Sequence, residues 1–301
     1  MWITVGAIID GKKIAAKIRE GIKKEVQALR DEKGLIPKLS VVLVGDNPAS
    51  VSYVRGKEKA CVEAGIESVV HRLPSTISEA GLLDLIAGIN NDPSVHGILV
   101  QLPLSRGLNE TRILREVLPS KDVDGLHPVN MGRLFKGEDP LFVPCTPLGA
   151  MELILSTGMD VAGKKAVIVG RSNLVGKPLA MLLLAKHATI TWCHSKTKDI
   201  AGETSRADVL VAAAGKPGLI KANMVKPGAV VIDVGTTRTE KGLTGDVDFE
   251  SVKEVAGYIT PVPGGVGPMT ITMLLKNVLA SAQRIGEKAP EGPPEVQAII
   301  A

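Results

Sequence analysis

Ala166-Val167-Ile168-Val169-Gly170-Arg171-Ser172-Asn173-Leu174-Val175-Gly176-Lys177-Pro178 reads as a buried strand, a tight glycine turn and the opening of a helix. Gly170 permits the turn, and Gly176 lets the new helix pack closely on the sheet. A helix opened in this way presents free N–H groups and the positive end of its dipole to an anion such as a pyrophosphate. The usual dinucleotide fingerprint is G-x-G-x-x-G, and here Ser172 stands where the middle glycine belongs. Any α/β protein needs a glycine at such a turn, so the stretch decides the fold before it decides a ligand.

Working outward, apolar runs alternate with helix-period segments, the pattern of parallel βαβ units. Beyond the turn come Thr189–Cys193, Val209–Ala213 and Val230–Val234, each nearly continuous in apolar residues, as expected of strands covered on both faces. Before it, Leu39–Val44, Ser68–Leu73 and Gly97–Leu102 read as strands of a separate series. Ile14, Ile18, Ile22, Val26 and Leu29 recur at helical spacing, as do Leu82, Leu85, Ile86 and Ile89. Thr76 and Glu79 form a capping-box pattern before the latter helix. Asn47 with Pro48 opens another helix, running to about Ala64. The Pro-, Gly- and Asp-rich stretch Pro119–Pro147 reads as loops linking two lobes. The last helix is expected over Met269–Ile285, and Lys288–Ala301 reads as a frayed tail. The fold class is α/β: two lobes, the second a Rossmann-like dinucleotide-binding domain with a mostly parallel sheet.

Composition narrows the function. At 301 residues, with 45% hydrophobic and 23% charged, the chain is a folded protein of about two domains rather than a disordered one. Seven aromatic residues are too few for a base-stacking platform, and scattered charges netting +4 make no stripe for a duplex, so no nucleic acid is expected. Cys61, Cys145 and Cys193 are odd in number and far apart, so neither a disulfide framework nor a zinc site is indicated. No run reaches a membrane span, and the N-terminal apolar stretch lacks a basic region before it. A cytoplasmic protein without membrane or metal partners is the expectation.

An NAD site calls for a carboxylate roughly 20 residues beyond the glycine turn, to bond the ribose 2′-hydroxyl. No Asp or Glu occurs between Asp160 and Asp199; the second strand ends Cys193-His194-Ser195-Lys196-Thr197 instead. With Arg171 and Ser172, these hydroxyls and cations can hold a 2′-phosphate, which favours NADP. The plain alternative is a polar loop at a strand end. Asp122-x-Asp124 cannot begin a calcium loop, because Leu126 and Arg133 fall at the fifth and twelfth positions. Tyr53 and Lys57, four apart on one helix, can meet one ligand together, although Arg55, Lys57 and Lys59 can equally be a solvated surface.

Taken together, Val169–Pro178, Cys193–Thr197 and Ile259-Thr260-Pro261-Val262-Pro263-Gly264-Gly265-Val266-Gly267-Pro268-Met269-Thr270 resemble the bifunctional methylenetetrahydrofolate dehydrogenase/cyclohydrolase family. Ser52–Lys57, Gly97–Leu104, Lys121-Asp122-Val123-Asp124-Gly125 and Pro144-Cys145-Thr146-Pro147 agree, in order, from about Asp10 to Ile285. Thr236 departs, standing where the family often carries an apolar residue.

The resemblance implies a folate-binding catalytic domain over 1–145, an NADP-binding domain over 146–270 and a closing helix with tail over 271–301, around a cleft and in a homodimer. It implies oxidation of 5,10-methylenetetrahydrofolate with NADP and hydrolysis of the methenyl product to 10-formyltetrahydrofolate. Lys57 is then the acid/base, Gln101 orients it, Tyr53 stacks on the folate and Asp124 pairs with the pterin. Val100 and Leu102 flank Gln101 in the substrate site, and the backbone of Pro263, Gly264, Gly265, Val266 and Gly267 runs along the folate. Gly170, Arg171, Ser172, Val175, Gly176, Ser195 and Thr236 are the implied cofactor contacts. A dehydrogenase of another small acid and a non-catalytic nucleotide-binding module are the rival readings.

Overall fold

Lys38–Val44 is the central strand of a three-stranded parallel sheet, flanked by Glu67–Leu73 and Gly97–Val100. It is buried along nearly its whole length, which is why Val41–Val44 is continuously apolar rather than alternating, with the buried Ser40 hydroxyl bonded to His71 Nε2. The computed structural model describes residues 6–240 and 242–286, which fall into two units. The three-stranded unit comprises Lys17–Cys145 with 271–286. Its core joins Val42, Val44, Ile98 and Val100 of the sheet to Leu82, Ile86 and Ile113 of the helices Glu79–Asn91 and Glu110–Glu116. Ile22, Val26 and Leu29 are the buried stripe of the helix Gly11–Lys33. Burying each such side chain is worth about 1.5–3 kcal/mol.

The six-stranded unit comprises 6–16 and Thr146–Thr270. Its parallel strands run in the order Ala7–Ile8, Tyr258–Ile259, Val230–Asp233, Val209–Ala212, Lys165–Val169 and Thr189–Cys193. The sequence places the start of the chain in the first lobe. Instead, Ala7 and Ile8 pair with Tyr258 and Ile259 at the edge of the larger sheet. A small antiparallel hairpin, Thr237–Thr239 with Gly242–Thr244, was not anticipated from the sequence.

Three further local differences have physical causes. Ser78, not Thr76, caps Glu79–Asn91: its Oγ accepts from Gly81 N at 3.1 Å. Glu79 turns elsewhere, accepting from Asn109 N and pairing with Arg112 at 2.8 Å. The supposed linker Pro119–Pro147 holds a helix, Pro128–Lys136, and up to Cys145 it belongs to the three-stranded unit. The closing helix is Val266–Gly286, three residues longer at its start than expected, because Pro268 in a first turn costs no hydrogen bond. Lys288–Ala301 lies outside the described residues. Among the described residues no helix is long and apolar enough to cross a membrane, and no cluster of three His, Cys, Asp or Glu could hold a metal.

Candidate active site

The helix Pro48–Ala64 is started by Asn47, whose Oδ1 accepts from Ala49 N at 3.0 Å and Ser50 N at 3.3 Å. One turn apart on it, Tyr53 is exposed and Lys57 is buried, with only 9% of its surface accessible. Arg55 and Lys59 are exposed, so Lys57 is no part of a solvated basic face. Its Nζ donates to Gln101 Oε1 at 3.0 Å, and Gln101 Nε2 donates to Leu102 O at 2.6 Å. The second bond fixes which end of the amide meets the lysine. Gln101 itself is set at the strand end, where its N–H donates to Val42 O at 2.9 Å, next to buried Val100.

Asp124 lies within a turn that Asp122 builds. Asp122 is buried and accepts from Leu126 N at 3.1 Å, and from His127 N and Asn130 Nδ2 at 2.8 Å each. Burial pushes its pKa up to about 7; the three donors oppose that and the Asp124 charge adds to it. Lys121 anchors the same turn from below, donating to Asn90 O at 2.8 Å and Asp92 O at 2.7 Å. Those carbonyls end the helix Glu79–Asn91, and burial pulls the Lys121 amine below the ordinary lysine range.

Cys145 joins these pieces. Its thiol donates to Val123 O at 3.3 Å, and it feels the charges of both Asp124 and Lys57. Burial, with Asp124 reinforcing it, pushes the thiol pKa up, so this cysteine is no nucleophile. Asn277 of the closing helix donates to Val123 O at 2.8 Å and Val143 O at 3.2 Å, pinning the backbone just before Asp124 and just before Cys145. Sequence reasoning missed Asn277, whose partners lie more than 130 residues away.

In the six-stranded unit, the carboxyl ends of Lys165–Val169, Thr189–Cys193 and Val209–Ala212 surround a cavity of about 490 Å³. Gly170, Arg171, Ser172 and Ser195 line it, joined by His194, Ala213, Ala214 and Lys216, which the sequence did not single out as contacts. Gly170 has φ 138°, and a Cβ there would stand 2.1 Å from Ala213 O, so only glycine fits between the two strand ends. Ser172 Oγ accepts from Val175 N at 3.1 Å, which keeps its own O–H free to donate outward. Val175 and Gly176 open the helix Gly176–Ala185 without a side-chain cap, an arrangement suited to an anion. Cavity, cation, hydroxyls and uncapped helix fit a dinucleotide.

Not every implied residue meets another. Val175 and Gly176 lie outside the cavity lining, and Thr236 is an exposed loop residue after Val230–Asp233. Gly264, Gly265 and Val266 are buried, with Gly264 O accepting from Lys12 N at 3.1 Å, while Pro263 and Gly267 are exposed. These five residues and the cofactor contacts fall in the six-stranded unit up to Thr270; Tyr53, Lys57, Val100, Gln101, Leu102 and Asp124 fall in the other.

A parallel-sheet unit with this glycine turn defines an NAD(P)-binding protein, here with a second unit that holds a buried, oriented amine. Residues 144–286 match the tetrahydrofolate dehydrogenase/cyclohydrolase NAD(P)-binding domain, and residues 9–124 match the catalytic domain of the same family. The "Bifunctional protein FolD" of Moorella thermoacetica is 58% identical over 278 residues, covering 92% of this chain and 99% of the relative. The crystal structure of the Campylobacter jejuni bifunctional FolD dehydrogenase/cyclohydrolase is 51% identical, with TM-score 0.91 over 92% of this chain and 99% of that one. The Trypanosoma brucei enzyme, solved with NADP cofactor and an inhibitor, is 40% identical, with TM-score 0.89 over 93% and 98% of the two chains. The chain belongs to the bifunctional methylenetetrahydrofolate dehydrogenase/cyclohydrolase family. It oxidises 5,10-methylenetetrahydrofolate to the 5,10-methenyl form and hydrolyses that to 10-formyltetrahydrofolate.

Proposed function

We propose that Lys57 is the proton carrier of the hydrolytic step, that Gln101 holds it in place, and that the oxidation uses NADP in preference to NAD. The observation that carries the first part is the buried Lys57 Nζ, fixed 3.0 Å from an amide oxygen that is itself tied to the backbone. When bound, the dinucleotide accepts the hydride of the one-carbon bridge. The residues of the chain do the rest. Asp124 accepts paired N–H donors of the pterin ring, Tyr53 stacks on the folate, and Val100, Leu102 and the segment Pro263–Gly267 bound the substrate. In hydrolysis, water adds to the methenyl carbon, and one nitrogen must gain a proton before its bond to that carbon breaks. Lys57 takes a proton as water adds and returns one to the leaving nitrogen, while the Gln101 carbonyl accepts from the amine and aims it.

The preference for NADP is supported by the absence of any carboxylate between Asp160 and Asp199 and by Arg171, Ser172 and Ser195 at the cavity. The related T. brucei enzyme was solved with NADP. Val175, Gly176 and Thr236 contribute backbone or loop contacts to the same ligand. A homodimer in a reducing, cytoplasmic compartment completes the reading; three free, buried thiols suit the compartment, and sedimentation at one chain's mass would exclude the dimer.

Lys57→Met tests the central claim, because it keeps the apolar stem and removes the amine. Hydrolysis of methenyltetrahydrofolate is expected to fall about 10²–10⁴-fold, the usual contribution of positioned acid–base groups. Oxidation should fall much less, so the methenyl compound accumulates. Parental hydrolysis in this variant would overturn the assignment.

A further inference from the structure

Asp233 and Asp246 are buried carboxylates that the chemistry above leaves unused. Asp233 ends the strand Val230–Asp233; its Oδ1 accepts from Gly235 N at 3.0 Å and Asp246 N at 2.9 Å, and its Oδ2 from Val247 N at 2.9 Å. Asp246, with no accessible surface, accepts on Oδ2 from Ala214 N at 2.6 Å and Gly215 N at 2.8 Å. Its Oδ1 is buried with no hydrogen-bond partner.

The two carboxylates interlock with two glycines. A Cβ on Gly235 would stand 2.4 Å from Asp246 Oδ1, and one on Gly245 would stand 1.9 Å from Asp233 Oδ2. The Asp-x-Gly and Gly-Asp sequences at 233–235 and 245–246 thus read as one device, in which each glycine makes room for the other segment's carboxylate. Asp233 reaches the backbone just before Thr236. Asp246 reaches the exposed loop after Val209–Ala212, whose Ala213, Ala214 and Lys216 line the cavity. A buried charge is an expensive way to close a surface turn, and an exposed loop could satisfy these two amides with water. Charge-assisted bonds from both amides to one oxygen instead hold the loop in a single geometry.

We propose that Asp246, braced by Asp233, is a positioning residue for the dinucleotide: it fixes the backbone of Ala214 and Gly215 where the cofactor meets it. This rests on the dinucleotide assignment of the cavity.

The enzyme supplies its own control, since hydrolysis of methenyltetrahydrofolate consumes no dinucleotide. Asp246→Ala is expected to raise the KM for NADP about tenfold, about 1.4 kcal/mol, with the hydrolytic rate within about twofold of parental. Asp246→Asn keeps an oxygen for Ala214 and Gly215 and should limit the rise to about threefold. A parental KM in the Ala variant, or an equal fall in both activities, overturns the proposal. If the Ala variant does not fold, the Asn variant decides: a selective KM rise supports positioning and an unchanged KM overturns it. Arg171→Ala, measured alongside, separates the two readings. If it leaves the NADP KM unchanged while Asp246→Ala raises it, the phosphate contact of Arg171 fails and the positioning role stands. The reverse result sinks the positioning role alone. If neither variant moves that KM, the cavity assignment fails and the positioning role with it.

Discussion

Lys57 and Arg171 are both basic side chains assigned to ligands, yet the protein treats them in opposite ways. Lys57 is buried and tied to Gln101 Oε1, and its charge reaches the Cys145 thiol in a neighbourhood pinned by Asn277. Arg171 is exposed on the glycine turn at a strand end, beside a cavity bounded by other strand-end loops. The contrast follows from what the proposed roles ask of each. A group that moves protons must stand within hydrogen-bond reach of one atom, so its freedom is removed before the substrate arrives. A group that recognises a phosphate can keep its hydration until the anion displaces it, because the charge acts over several ångströms.

Loss of a side chain in the pinned region should therefore cost more than loss in the solvated one. Asp124→Ala should cost about 2–4 kcal/mol of folate interaction, the scale for unpairing charged hydrogen bonds. Both reactions should slow together while dinucleotide binding persists; normal folate kinetics would reduce Asp124 to a turn residue. Arg171→Ala should raise the NADP KM roughly tenfold, as loss of a charge-assisted contact implies, and leave the NAD KM almost unchanged. Equal losses for both dinucleotides would erase the contrast, since Arg171 would then act on something the two share.

The smallest effect concerns how the pinned region bears its own charges. Asp122 has a folded pKa near 7, above the ordinary carboxylate value, so the native state binds its proton more tightly than the unfolded chain does. The stability this gives is whole below about pH 4 and is lost as pH rises through the folded value. Replacing Asp122 by Asn removes the titration. The Tm of the parental protein relative to Asp122→Asn should fall by roughly 2–4 °C between pH 5 and pH 8. Thermal melts giving a constant gap across that range would mean that the three donors keep Asp122 ionised in both states.

The regions also differ in how far they could be read from the chain. The glycine turn, its strands and the missing carboxylate are local signals, and the cavity assembles where the apolar runs end. The neighbours it gains, Ala213, Ala214 and Lys216, depend on Val209–Ala212 lying next to Lys165–Val169, and sheet order has no local signature. In the other unit, Tyr53 and Lys57 share a legible helix face, but the bond from Lys57 to Gln101 spans 44 residues and that from Asn277 to Val123 spans 154. The helix Pro128–Lys136 escaped notice because His127 caps it through its ring, with Nδ1 accepting from Val129 N at 3.1 Å. Histidine is not among the residues that usually announce a helix start. The strand Ala7–Ile8 is two residues long and has no periodicity to read.

The closing helix carries a consequence for the order in which the molecule can be finished. Asn277, Ser281 and Arg284 donate to carbonyls of Val123, His96 and Leu141, so the unit that holds Lys57 draws on residues beyond 270. On a ribosome adding about 5–20 residues per second, the whole of Thr146–Thr270 is made between Cys145 and these residues, a delay on the order of ten seconds. Until the helix emerges, the carbonyls of Val123 and Val143 wait for Asn277. The six-stranded unit, built from 6–16 and Thr146–Thr270, thus has all its described residues before the three-stranded one does, and the surroundings of Lys57 gain their last partners at the end of synthesis.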